Sequence, residues 1–323
     1  MNKAKSKKLF SFFSNQSVIL CIFIILLALL VNTVNSRFLT WNNISSILRQ
    51  GTALGLVACG ATILVISGSF DISVGSMIGL VTCVMSIMLN NGFSDLTVSI
   101  VAIVLCVGCS LINGGLSILF KAPPFIVTLA TSNVYLGLAL LITKGYLQTI
   151  YGKYRFIAST RWGIFYLQFA ILIAGFAVVH FILKRMQTGR QVYAIGTNEN
   201  AAYISGINVT LSKLKFFAIS GVFVAVACMV QLSRLSGAQS TTGAGMELEA
   251  IGAVVIGGAS ASGGKGNVIG TFFGVILLSM ISNAINMAQI SEYFRDIVYG
   301  LIILIALAIT AVRGKLLENK KNG

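Results

Sequence analysis

Ten apolar stretches alternate with short polar connections along this chain, at about 17–36, 46–68, 75–91, 97–120, 125–143, 163–183, 214–234, 247–260, 267–289 and 294–312. A helix needs about 20 predominantly apolar residues to cross a bilayer core of about 30 Å. The pattern therefore predicts an all-α integral membrane protein with about ten transmembrane segments. No polar stretch is long enough for a second, soluble domain, so positions 1–323 read as one polytopic unit with tails at 1–16 and 313–323 and a long loop at 184–213. The apolar core of Ser17 to Val34 is longer than the 7–15 residues of a secretory signal, and the segment reads as a retained first helix.

Two of the apolar stretches are poor helices. Ile66-Ser-Gly-Ser-Phe-Asp71-Ile-Ser73-Val-Gly75 interrupts the second and third, and Val254-Val-Ile-Gly-Gly-Ala-Ser-Ala-Ser-Gly-Gly-Lys265-Gly interrupts the eighth and ninth. Each follows a Gly-Ala pair, Gly60-Ala61 and Gly252-Ala253, and leads into a further apolar helix. Breaks in matching places of two halves are what an internal repeat leaves behind. Non-helical backbone at membrane depth is tolerated only against protein or a water-filled cavity, so the breaks also mark candidate stretches of a pathway.

The central polar segment, Gly189 to Asn208, is longer than a hairpin between spans requires. Its Ala201-Ala202-x-x-x-Gly206 core, with Glu199 just ahead, has small residues that let the surface of another protein press against a short helix.

Composition fits a membrane protein: 56% of residues are hydrophobic and only 10% charged, against roughly 25% charged in a soluble domain. The net charge of +15 does not point to nucleic acid, because the basic residues gather at the ends and in short loops. Lys3, Lys5, Lys7 and Lys8 precede the first span, Lys184, Arg185 and Arg190 open the central loop, and Arg313, Lys315, Lys320 and Lys321 follow the last. An even number of spans puts both termini and the 184–213 loop in the cytoplasm, as the positive-inside rule asks, with the membrane lipid as their partner. Lys144, Lys153, Arg155 and Arg161 oppose the rule, since the same topology places their loop outside.

Candidate chemistry is sparse. The six cysteines all lie in apolar segments, and Cys106-Val-Gly-Cys109 has neither a second pair nor charged neighbours, so packing between helices is expected and no disulfide. Gly258 to Gly266 brings a phosphate loop to mind, but Ala259 stands where a Walker A glycine belongs and Gly266 where the hydroxyl belongs. One histidine, no spaced carboxylate pair and no zinc-type ligand cluster predict no catalytic residue and no metal site. His180, beside Lys184 and Arg185, reads as interfacial rather than as a proton relay.

Asp71 is the one acidic residue before Asp95 and sits at the edge of apolar sequence. Either Asp71 or Ser73 caps the helix starting near Val74, or the pair lines a path or gate. Asn113, Asn133 and Asn283 lie inside spans, where they serve either solute hydroxyls or bonds between helices. Glu247 and Glu249 precede the eighth segment, as ligands for a polar solute or as favourable charges at a helix N-terminus.

Four stretches carry a family resemblance: Gly68-Ser-Phe-Asp71-Ile-Ser73-Val-Gly75; Asn113-Gly-Gly with Ala122-Pro123-Pro124-Phe125-Ile-Val-Thr128; Gly196-Thr-Asn198-Glu199-Asn-Ala201-Ala202 with Ser205-Gly206-Ile207; and Ala250-Ile-Gly-Ala-Val-Val-Ile-Gly257-Gly258 with Gly263-Gly264-Lys-Gly266. In this order the chain resembles, over about 45–312, the permease subunit of ABC importers for monosaccharides: the ribose, xylose, galactoside and autoinducer-2 group. The family often has Gly-Gly-Ile-Asp-Leu-Ser where this chain has Gly68-Ser-Phe70-Asp71-Ile-Ser73, keeping the acidic and hydroxyl positions. The resemblance implies a bacterial plasma (inner) membrane, multi-pass protein working as a dimer of permeases, identical or paralogous. It implies an ABC ATPase subunit inside, which uses the ATP while this chain binds no cofactor, and an extracytoplasmic solute-binding protein outside. It also implies that Glu199, Ala201, Ala202 and Gly206 belong to the helix that couples to the ATPase. Asp71, Ser73, Asn113 and Asn283 are then candidates for the translocation path. Lys144, Lys153, Arg155 and Arg161 are candidates for docking the binding protein, unless their loop is an interfacial anchor built on Tyr146, Tyr151, Tyr154 and Trp162. Permeases for branched-chain amino acids or nucleosides share the fold features and stay open. An ion-coupled secondary transporter would need intramembrane carboxylates, of which this sequence offers little beyond Asp71.

Overall fold

The computed structural model describes residues 16–291 without interruption and, beyond them, positions 294, 297–301 and 304. Both tails and most of the tenth expected segment, with the basic residues flanking them, lie outside the described residues. The described chain is mostly helix: α1 (Gln16–Val34), α2 (Trp41–Ile66), α3 (Val74–Asn90), α4 (Asp95–Leu119), α5 (Pro124–Thr143), α6 (Phe156–Ser159), α7 (Leu167–Arg185), α8 (Gln187–Thr197), α9 (Glu199–Ile204), α10 (Val209–Leu235), α11 (Met246–Ile256) and α12 (Val268–Met287). Two short antiparallel ladders complete it. In one, β1 (Gln148–Thr149) pairs with β4 (Gly237–Ala238); in the other, β2 (Arg161–Trp162) pairs with β3 (Phe165–Tyr166).

Seven of these helices, α1, α2, α4, α5, α7, α10 and α12, are long and apolar enough to cross a membrane. The expected third span is the 17-residue apolar helix α3. The expected eighth is α11, whose 11 residues reach about 16 Å, half a bilayer core. Hydropathy alone cannot tell a half-helix from a span.

The α2 and α10 helices form the centre of the bundle, buried along most of their length, whereas α4 and α5 turn rows of exposed apolar side chains such as Ile100, Val104, Leu129 and Val134 outward. Lipid tails are as apolar as leucine, so helices in a membrane associate through close packing rather than through water exclusion. Small residues provide that closeness on α2, where Gly51 lies against Ser279, Gly55 against Leu172 and Gly60 against Ser220. The cysteines follow the same logic: all six are free. Cys106 meets Cys228 of α10 with sulfurs 3.9 Å apart rather than pairing with Cys109.

Helix alternation and tertiary bonds define two ends. At one, β1 pairs with β4, Asn90 donates to the Thr149 carbonyl (3.0 Å), and Ser233 accepts from the Ala158 N–H (3.0 Å). At the other, the break after α2 meets the break after α11 through the Gly264 N–H and the Ile66 carbonyl, 2.8 Å apart. Between β4 and α11 the chain turns inward without helix, and α3 accommodates it. A methyl at Gly79 would strike the Ser240 carbonyl, and one at Gly75 the Gly243 carbonyl and the Glu247 carboxylate. Ser240 and Gly243 of this irregular stretch are buried against α3, while Gln239, Thr241 and Ala244 are exposed, as non-helical backbone at membrane depth must lie against protein or a cavity.

Candidate functional site

The long polar segment folds into two short helices. Asn198 caps α9, its side chain accepting from the Ala201 N–H at 2.9 Å, and Glu199 at the first turn pairs with Lys213 at 2.7 Å. The helix stops at Gly206, whose φ of +85° lies in the left-handed region, while the Ile207 N–H returns to the Ala202 carbonyl at 3.1 Å. Gly206 is thus small for a reason internal to the chain, because only glycine adopts that conformation freely. Ala202 is buried within the chain and Ala201 faces solvent. The side chains that project are Tyr203 and Ile204, 71% and 84% exposed. Sequence reading passed over them, although two adjacent bulky apolar residues on a polar helix are a recognisable sign of an unfilled contact.

The preceding helix, α8, is wedged into the core by Val192 and Ile195. Its last turn carries Gly196, where a methyl would collide with the Ile66 carbonyl oxygen and lie 2.6 Å from the Gly264 nitrogen. Tyr193 donates its hydroxyl to the Gly266 carbonyl at 3.1 Å, and burial pushes its phenol above the usual range, so it remains a donor. The two breaks and the stem of the polar segment therefore meet backbone to backbone at one knot. Gly196 stands in the motif that carried the resemblance, but no sequence pattern says what it touches. Beside the knot, Ser67, Lys121, Pro123, Glu199 and Lys213 line an open polar cleft of about 460 Å³.

Three of the four path candidates come together. Asp71 is buried and accepts from the Ser73 N–H (2.9 Å) and hydroxyl (2.6 Å). The Asn113 amide donates to Asp71 (3.3 Å) and to Ser73 Oγ (2.7 Å), and Tyr135 closes the group by donating to Asn113 Oδ1 at 3.0 Å. Ser73 occupies the position ahead of α3 without making a side-chain cap bond. The carboxylate binds the residue before the helix instead, locking the turn and tying the first break to α4 and α5. Asn283 lies elsewhere, exchanging amide bonds of 2.9 and 3.0 Å with Asn43. Asn133 is exposed on α5 and donates to its own helix at Leu129 (3.1 Å).

Lys144, Lys153, Arg155 and Arg161 are all exposed at the end opposite the knot. Lys153 is nevertheless engaged, its ammonium donating to the Leu89 carbonyl at the end of α3 at 2.8 Å. Tyr154 anchors the same loop by burying its ring and meeting the Ser99 hydroxyl.

A family profile described as branched-chain amino acid transport system / permease component matches residues 43–307. The ribose import permease protein of Bacillus subtilis (strain 168) is 36% identical over 301 residues, covering 92% of this chain and 91% of its own. The galactose/methyl galactoside import permease protein of Escherichia coli (strain K12) is 31% identical over 334 residues, covering 96% and 98%. A probable ABC transporter permease protein of Sinorhizobium fredii (strain NBRC 101917 / NGR234) is 34% identical over 293 residues, covering 88% and 86%. No solved structure matches the chain.

Proposed function

The chain belongs to the branched-chain amino acid transport system / permease component family, and from that premise we propose that it is the transmembrane subunit of an ABC importer that carries a monosaccharide across the bacterial inner membrane. The relatives named for ribose and galactosides, matched over nearly their whole length, carry this reading. Hydrolysis of ATP belongs to a partner subunit on the cytoplasmic side, where the chain's own termini lie. A binding protein delivers the solute at the opposite face, and a second permease copy or paralogue completes the path.

The coupling contact is α9. Because Ala202 and Gly206 serve the helix itself, the surface offered to the ATPase is Tyr203 and Ile204, with Glu199 and Ala201 on the same short helix. Reconstitution of the permease with its ATPase and binding protein in liposomes tests the assignment. Uptake of labelled D-ribose or D-galactose requires ATP inside and both partners, and Ile204→Asp lowers uptake about tenfold, since losing an anchoring interface contact costs about 2 kcal/mol or more. Uptake by the permease alone under a proton or sodium gradient would replace this reading with a secondary transporter. Full coupling in Ile204→Asp would remove α9 from the interface.

The opposite face supports docking of the binding protein through Lys144, Arg155 and Arg161, while Lys153 holds the loop to α3. Neutralising the first three should slow association and flatten its dependence on salt, because exposed charges steer encounter and are screened beyond about 8 Å at physiological ionic strength. An unchanged rate and salt slope would make the loop an anchor only.

A further inference from the structure

A polar cavity of about 150 Å³ lies inside the bundle, toward the end that carries the β1–β4 ladder and away from the Asp71 group. Its walls bring Gln50 from α2, Gln231 and Arg234 from α10, Glu249 from α11, and Ser279 and Ser282 from α12 to one space. Four helices contribute, and the inward-turning stretch before α11 supplies Thr242 as well. A membrane protein does not gather a guanidinium, a carboxylate, two amides and hydroxyls inside an apolar bundle for packing. Such groups face a cavity or one another and mark the route of a polar cargo.

The internal bonds leave capacity unspent. Gln50 donates to Ser282 Oγ at 3.1 Å and Arg234 Nη2 donates to Gln231 Oε1 at 3.2 Å. Among the described residues, Arg234 Nε and Ser279 Oγ are buried without a partner, and Ser279 as a residue is only 3% exposed. A buried polar atom without a partner is costly, and a helical serine ordinarily bonds back to its own helix. At Ser279 the hydroxyl instead stands against Gly51, where there is no side chain to answer it.

We infer that this cavity is a transit site for a single monosaccharide, entered from the binding-protein side, with Arg234 Nε and Ser279 Oγ addressing sugar hydroxyls. The inference rests on the sugar-permease reading above. Sugar hydroxyls both donate and accept, which suits a lining that combines, among the described residues, amides, hydroxyls and one charge of each sign. A lone cation would find the guanidinium repulsive, and an apolar solute would leave Arg234 Nε and Ser279 Oγ unanswered. A cavity of about 150 Å³ takes up benzene in another protein, so this space is of the order of one small ring. The site also explains why the chain before α11 turns into the bundle, since that turn brings Glu249 and Thr242 to the cavity rather than to lipid.

The test uses the full reconstituted importer with D-ribose, D-galactose and L-leucine as probes. Ser279→Ala removes one unpartnered atom and Arg234→Lys the other together with the Gln231 bond, while both leave the Gln50–Ser282 bond in place. Sugar moved per ATP hydrolysed should fall about tenfold in the double variant, and the ratio of D-ribose to D-galactose uptake should shift, because a site that bonds hydroxyls distinguishes them strongly. A merely structural role would lower both sugars equally, and that result, or unchanged uptake, would overturn the site while leaving the sugar-permease reading intact. A wild-type importer that carries L-leucine and neither sugar would overturn that reading and, with it, the ligand class assigned to the cavity.

Discussion

Gly196→Ala is expected to disconnect the ATPase from the gate. The added methyl falls on the Ile66 carbonyl oxygen and within 2.6 Å of the Gly264 nitrogen, both backbone atoms that cannot rotate away. Making room means parting the two breaks, and the Gly264–Ile66 hydrogen bond of 2.8 Å goes with them. Overpacking of this kind costs about 1–3 kcal/mol, and the lost bond about 1 kcal/mol more. The consequence reaches beyond stability. A helix that takes a push on Tyr203 and Ile204 moves the spans only if its stem is fixed to them, and Gly196 is where the stem touches both breaks at once. In the complete importer, ATP hydrolysis should lose its link to uptake, and thermal unfolding of the permease in detergent should begin lower. Gly137→Ala is the comparison, since nothing lies within 4 Å of that position and a helical glycine replaced by alanine gains up to about 1 kcal/mol. If the two variants unfold and transport alike, the knot transmits nothing. Tyr193→Phe, which removes only the bond to Gly266, should fall between them.

That knot also marks where sequence reasoning stops. The apolar pattern located the long helices within a few residues, and the two breaks were evident because each interrupts the hydropathy with glycines and serines around a single charge, Asp71 in one and Lys265 in the other. That the breaks touch one another, about 200 residues apart, is a matter of tertiary contact for which composition has no signature. Lys153 illustrates the same limit. Its charge read as one of four equivalent docking residues, yet its ammonium closes the end of α3, a role set by the fold of the 144–166 loop. Asn113 and Asn283 looked alike in sequence as lone amides in apolar helices. One joins Asp71 and the other pairs with Asn43, and only the register of the packed helices separates them. Ala202 and Gly206 point the other way. Their smallness was legible, but a small residue serves a partner's approach and a helix's own termination equally well, and here the φ of +85° at Gly206 shows the second at work.

Asp71→Ala should be the most damaging single change in the first break, and Asp71→Asn a mild one. Asp71 receives three donors in a buried site: the Ser73 N–H, the Ser73 hydroxyl and the Asn113 amide. Alanine leaves the Ser73 N–H and one of the two Asn113 amide hydrogens without an acceptor where water has little access, and each buried unsatisfied group costs about 1–3 kcal/mol. The Ser73–Asn113 bond of 2.7 Å does not compensate, because it already exists. Asparagine keeps one acceptor oxygen for Ser73 and presents an amide to Asn113. That conflict resolves if Asn113 turns over, accepting from the new amide and donating to the Tyr135 oxygen, while the Tyr135 hydroxyl keeps its proton on the Cys109 carbonyl, already 3.1 Å away. The group can thus reverse its polarity at the cost of one bond, because the single Ser73 hydroxyl proton then faces both the residue-71 oxygen and the turned Asn113 oxygen, and the loss should stay at about 1 kcal/mol. Thermal unfolding of the purified permease and uptake by the complete importer, measured side by side, separate the possible roles. A fall in both for alanine with near-normal values for asparagine means that Asp71 fastens the break to α4 and α5. An Asp71→Asn permease that unfolds normally but carries no solute would mean instead that the charge itself is used along the path.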